Sequence, residues 1–250
     1  MTGAVGYRSI ALAVAAVAAA WAVLVGVELS GQAPAFHHHT LLNGTRPLWE
    51  AIAIFVPAWV VMVVAMMLPS SLGMLATHVR VTVAEARPLL SRLSFLTAYL
   101  LAWTAFGVAA LLVDSQVHAL VRASPWLTAH QSLIAATTLV GAGVFQFTEL
   151  KRRCLRVCRS PLGFLLDRYR PGVRSAFQLG LSHALFCIGC CWALMLVMFA
   201  AGVAALAWML ALSAVMVVER TIPGGGRLSG PVGLTLIAGG MLTAALGPVP

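Results

Sequence analysis

Residues 177–218 read FQLGLSHALFCIGCCWALMLVMFAAGVAALAWMLALSAVMVV, with no Asp, Glu, Lys or Arg among them. As one helix at 1.5 Å per residue the run would be about 63 Å long, roughly twice the ~30 Å hydrocarbon core of a bilayer. A single crossing cannot hold it. Gly202 is the natural break, so the sequence predicts a tight helical hairpin of two spans, 177–200 and 203–218.

Working outward, five more stretches approach the length of a crossing: roughly 10–27, 53–74, 93–113, 126–147 and 232–246. The sixth and seventh spans in order are short, and the seventh is Gly-rich (Gly239, Gly240, Gly247). The chain reads as one all-α integral membrane domain, residues 1–250, a helical bundle of six to seven spans. Composition agrees. Hydrophobic types make up 61% of the 250 residues and charged types 9%, and mean hydropathy is +0.95. So few charges cannot cover a water-facing surface. A soluble globular domain, a disordered chain and a nucleic-acid-binding module are all excluded as readings.

The net charge is +9, from 16 Lys+Arg against 7 Asp+Glu. With the N-terminus in the cytoplasm, all of these cations fall inside except Arg46 and Arg122. This alternation is the signal expected of an inserted bundle. It also supports the break at Gly202, because a single fifth crossing would place Arg220 and Arg227 outside. Arg8, the apolar stretch after it and Ala33-Pro34-Ala35 imitate a secretory signal. The stretch is long for one, and it is read as a retained anchor. Residues 149–174 form the main cytoplasmic feature. Leu155, Leu162, Phe164 and Leu165 alternate with Arg there, which predicts an amphipathic helix on the inner surface, touching anionic lipids or docking a partner.

The chemistry concentrates on the fifth span. His183, Cys187, Cys191 and Met195 step by four, and Cys187, Cys190 and Cys191 stand at i, i+3, i+4. One helical stripe therefore carries an imidazole, three thiols and a thioether, with Met198 three residues on. Sulfur donors of this kind select Cu(I), with zinc the alternative for the thiols. The second span adds Met62, Met66 and Met67, followed by Pro69. Met66 lies roughly 12 Å and Cys187 roughly 15 Å from the cytoplasmic ends of their spans at 1.5 Å per residue. The two clusters can therefore meet at one depth. Against this stand plainer readings: Met fills apolar cores, a buried Cys is a small apolar residue, and His183 can bond a neighbouring helix.

Other candidates carry less. Cys154 and Cys158 are i, i+4 in the basic loop, and two ligands alone do not complete a zinc site. His37-His38-His39 in an outer loop can hold a cation loosely. His78, His118 and His130 are isolated. The sequence has no Walker loop, G-x-S-x-G, H-E-x-x-H or paired intramembrane carboxylates, so a non-enzymatic role is favoured. Cys187-x-x-Cys190 permits dithiol chemistry, but apolar burial weakens a thiol nucleophile.

Three segments resemble a known family. Ala65-Met66-Met67-Leu68-Pro69-Ser70 is the first. The second is Phe145-Gln146-Phe147-Thr148-Glu149-Leu150-Lys151 with Cys154-Leu155-Arg156-Val157-Cys158-Arg159-Ser160-Pro161, and the third is Gly189-Cys190-Cys191-Trp192-Ala193-Leu194-Met195. Together they resemble the bacterial predicted metal-binding integral membrane proteins, domain-of-unknown-function family 2182, over roughly residues 50–222. Phe145, Glu149 and Gly73 depart from that pattern, where Tyr, Pro and Pro are usual. The resemblance implies metal binding in the bacterial cytoplasmic membrane.

The leading expectation is a Cu(I) site between the second and fifth spans. Cys187, Cys190 and Cys191 are the primary ligands, completed or lined by His183, Met195, Met66 and Met62. Its use would be copper transfer, insertion, sensing or transport, with a metallochaperone or a membrane complex as partner. The rivals are a structural accessory subunit of a larger membrane complex and an intramembrane thiol oxidoreductase.

Overall fold

The computed structural model describes residues 2–32, 38–42, 47–201 and 206–246. Among these the chain is helical and contains no strand. The helices in order are α1 (Thr2–Leu29), α2 (His38–Leu41), α3 (Leu48–Val81), α4 (Pro88–Ala123), α5 (Pro125–Ala129), α6 (Ser132–Phe145), α7 (Glu149–Cys158), α8 (Pro161–Arg168), α9 (Val173–Ala201), α10 (Leu206–Thr221) and α11 (Ser229–Leu246). The expected hairpin is α9 and α10, and the proposed break at Gly202 lies outside the described residues. Ala33-Pro34-Ala35 and His37 lie outside them too.

Among the described residues five helical segments are long and apolar enough to cross a membrane: Arg8–Leu29, Leu48–Ala84, Pro88–Ala123, Val173–Met198 and Gly225–Leu246. The doubtful seventh span is thus a full-length apolar helix. One expected span is shorter than anticipated, and another is as short as expected. The fourth, placed at 126–147, is divided, because residues 125–129 form their own turn and α6 starts only at Ser132. The 14 residues of α6 reach about 21 Å, and α6 then meets α7 at a 65° bend. The sixth, α10, has 16 residues, about 24 Å at helical rise.

Local chemistry sets these boundaries. Pro88, Pro125 and Pro161 each stand in the first turn of a helix, where a missing N–H costs nothing. Pro69 instead lies inside α3, and its missing N–H leaves the Ala65 carbonyl without a helical donor. The Trp21 indole Nε1–H from α1 donates to that carbonyl at 3.1 Å, so the proline becomes a tie between α1 and α3. At the α6–α7 bend Thr148 is extended and its side chain caps α7 by accepting from the Lys151 N–H.

The 149–174 region differs from a helix lying on a lipid surface. It is two helices, and the apolar side of α7 (Cys154, Leu155, Cys158) is buried because α7 packs along α9. Arg152, Arg153 and Arg156 face outward and share Glu149. On α8 Phe164 and Leu165 are buried while Leu162 is exposed. α4 also lies against α9, at Gly180, where any Cβ would collide with the Phe95 backbone.

Two buried clusters follow. The larger holds Cys187, Cys190, Cys191 and seven methionines, with residues from α1, α3, α4, α7, α9 and α10. The smaller lies towards the N-terminal end of α9: Met74, Phe95, Phe164, Leu165, Ala176 and Leu179.

Candidate metal site

Helical periodicity aligns Cys187, Cys190 and Cys191 on α9, and all three are buried. The Cys190 and Cys191 thiols turn back to the Cys187 carbonyl at 3.1 and 3.0 Å. Neighbouring elements supply further sulfur. The Sδ of Met67 on α3 is 3.8 Å from Cys191 Sγ, and the Sγ of Cys158 on α7 is 3.9 Å from Cys190 Sγ. Sulfurs bonded to one metal at about 2.3 Å stand roughly 3.8–4.0 Å apart, and the two pairs have spacings compatible with that as well as with plain van der Waals contact.

α7 reaches the cysteines because of Gly189. A Cβ there would sit 2.7 Å from Cys154 Sγ. α7 is then pinned by a buried ion pair, in which Lys151 Nζ lies 2.8 Å from Glu219 Oε2 on α10. Gln146 accepts from the same ammonium, and Ser229 Oγ donates to Glu219 at 2.6 Å. Arg159 closes the belt by donating to the Glu219 carbonyl and, at 2.8 Å, to the Ile222 carbonyl.

The next residue, Arg220, enters the sulfur cluster itself. Its Nη1 is 3.1 Å from Cys187 Sγ and 2.7 Å from Ser70 Oγ. Its Nη2 is 2.9 Å from Cys190 Sγ, 3.3 Å from Cys191 Sγ and 3.0 Å from the Cys187 carbonyl. A buried guanidinium stripped of water is costly unless its donors are met, and here the thiols and the Ser70 hydroxyl meet them. Tyr99 Oη from α4 lies 3.2 Å from Cys187 Sγ and 3.2 Å from Ser71 Oγ. Among the described residues no group of three or more His, Cys, Asp or Glu side chains is placed so that it could hold a metal ion. The side chains as placed make a guanidinium-held thiol cluster with a thioether at its edge.

The expected residues divide as follows. Cys187, Cys190 and Cys191 come together. Met66, Met62 and Met195 are buried in the same cluster, but Met67 makes the close contact with Cys191. His183 is buried one turn from Cys187 among rings, 5.7 Å from Tyr99 and 6.0 Å from Phe95 and from Phe164 between centroids. Its Nε2 has no hydrogen-bond partner among the described residues. Sequence reading missed Cys158, Arg220, Tyr99 and Met67 as members of one site. An ionisable residue attached directly to an apolar run is a flag for function, and Glu219-Arg220 carries that flag.

The donor set is soft, which suits a monovalent thiophilic ion. In class, then, this is an all-helical protein with membrane-length apolar helices and a buried sulfur site. Residues 56–243 match the PpoB2 family, described as a copper chaperone, and the chain belongs to that family. The match carries the copper description rather than the unknown-function family name that the three motifs resemble. No curated protein and no solved structure matches the chain.

Proposed function

We propose that the protein is a multi-pass membrane copper chaperone that holds Cu(I) in transit at the sulfur cluster beside Arg220. Cys187, Cys190, Cys191 and Cys158 are the thiol donors and Met67 is the thioether. Met66, Met62 and Met195 line the site, and His183 stands at its inner edge. The carrying observation is convergence: Met67 of α3 comes to 3.8 Å from Cys191 Sγ and Cys158 of α7 to 3.9 Å from Cys190 Sγ, on either side of the α9 thiols. A thioether in the set favours Cu(I) over zinc. The charge distribution places the N-terminus and the basic α7–α8 region on the cytoplasmic side, in the bacterial inner membrane. The exposed Leu162 and Leu166 of α8 then meet the lipid surface, with its arginines nearby for anionic headgroups.

Arg220 gives the site a working cycle. Its guanidinium satisfies the sulfurs between loads. An incoming Cu(I) takes over sulfur lone pairs while Ser70 and the Cys187 carbonyl retain the arginine. Metal analysis of detergent-purified protein loaded under reducing conditions tests the reading. Wild type is expected to hold about one copper per chain and Cys190→Ser/Cys191→Ser close to none, because two of its soft donors are gone. Equal copper in both overturns the reading.

A further inference from the structure

Seven of the ten methionines lie in the same buried cluster as the cysteines: Met62, Met66, Met67, Met195, Met198, Met209 and Met216. Each is at most 2% exposed. Their heights can be placed along the bundle, because two contacts fix the register. Met67 against Cys191 aligns α3 with α9, and Arg220 against Cys190 aligns α10 with α9. Both α3 and α10 run antiparallel to α9. At 1.5 Å per residue, Met66 lies about 1.5 Å above the Cys191 level, Met216 about 4.5 Å, Met195 about 6 Å, Met62 about 7–8 Å, Met198 about 10 Å and Met209 about 15 Å. All rise towards the C-terminal end of α9, which the charge distribution assigns to the outer face.

The opposite direction is built differently. Below Cys187 the rings of Phe95 and Tyr99 lie nearly parallel to His183 and Phe164 meets it edge-on, beside buried Leu165, Ala176 and Leu179, with Met74 the one methionine of that cluster among the described residues. Met as mere filler would have no reason to favour one side of the thiols. At the upper end, α2 covers the same cluster through Leu41, and that short helix begins at His38 and His39.

We propose that the buried methionines are an exit path along which Cu(I) moves from the cysteines to the outer face, for an acceptor on the extracytoplasmic side. The inference rests on the Cu(I) reading above and adds a direction to it. Each step is a ligand exchange: a new Cu–S(thioether) bond forms as the bond to the preceding sulfur breaks, and copper stays Cu(I) throughout. The first step leaves a thiolate behind, and the guanidinium of Arg220 already faces it.

The test uses full-length protein loaded with Cu(I) and reconstituted in vesicles. Orientation is scored by trypsin access to Arg152 and Arg153, and a membrane-impermeant sulfonated bathocuproine is added at one face. Wild type is expected to lose copper to chelator at the face away from the arginines. Met198→Leu/Met209→Leu should slow that loss about tenfold or more, with copper per chain and loss at the arginine face unchanged. Leu conserves the packed volume, and Met216→Leu alone gives the same reading should the double variant unfold. Unchanged release from a variant that still holds copper overturns the path alone, as does loss only at the arginine face. A wild type that takes up no copper overturns the Cu(I) reading and the path with it.

Discussion

The two halves of α9 differ in kind. Above Cys187 the buried cluster carries flexible thioethers beside the rings of Trp59 and Trp103, and Met195 and Met198 continue the face that the thiols begin. Below, Phe95 lies 4.6 Å from His78 and 6.0 Å from His183 between ring centroids, nearly parallel to both. Thioethers adapt to a guest and tolerate substitution, whereas stacked rings hold one arrangement. The sulfur cluster sits at the junction, open in chemistry towards the methionines and closed by rings towards the N-terminal end of α9. The difference teaches that this helix combines a rigid anchor with a permissive half, and the thiols are positioned by the first.

The largest effect should come from the belt that fixes the junction. Lys151→Met leaves Glu219 buried without its cation, and stranding one partner of a buried pair costs about 3–5 kcal/mol. Thermal unfolding in detergent should show this, and Lys151→Met/Glu219→Gln should recover most of it because no charge is then left alone. A single variant as stable as wild type would mean that α7 is held at Cys190 by packing alone.

The contrast between the halves is sharpened by paired substitutions. Phe95→Ala removes a ring that is buried between two imidazoles and should cost about 3–5 kcal/mol. Met195→Leu, equally buried, should cost less than about 1.5 kcal/mol. Equal losses in the two variants' melting curves would erase the distinction between a rigid and a permissive half.

The thiol stripe and the hairpin were legible because both follow from one helix, where periodicity and hydropathy decide. Cys187, Cys190 and Cys191 needed no knowledge of neighbours. Met67 did: one residue from Met66, it points 100° away, and only the packing of α3 on α9 says which of the two meets Cys191. Cys158 was hidden by its context. A run of arginines reads as a water-facing loop, yet Thr148 and the α6–α7 bend turn the cysteine face of that run inward. Arg220 and Lys151 were counted as interface cations, although both are buried and one carries the sulfur cluster. The short α6 was obscured by apolar residues on both sides of His130 and Gln131, which a hydropathy window joins and the backbone separates.

The smallest expected effect lies outside the spans, below the ring-stacked half. Glu85, in the turn between α3 and α4, accepts hydrogen bonds from Ser91 Oγ and, at 2.7 Å, from Tyr169 Oη just before α9. Burial pushes its carboxyl up, but the Ser91 and Tyr169 bonds outweigh that and hold it below the usual carboxylate range. Burial, with the bond to Glu85, pushes Tyr169 up to about 12. A carboxylate depressed by folding stabilises fully above its unfolded-state value near 4.5 and loses that contribution as pH falls through the lower folded value. A phenol raised by folding contributes below its unfolded-state value of 10.0 and loses the contribution as pH rises through about 12. Wild type should therefore melt slightly above Tyr169→Phe by a constant margin from pH 6 to 9. The margin should shrink in acid, below about pH 4.5. A margin unchanged down to pH 3 would show that the Tyr169 hydroxyl acts through the Val81 carbonyl, 3.2 Å away, rather than through the carboxylate, and the rigid half would then owe nothing to charge.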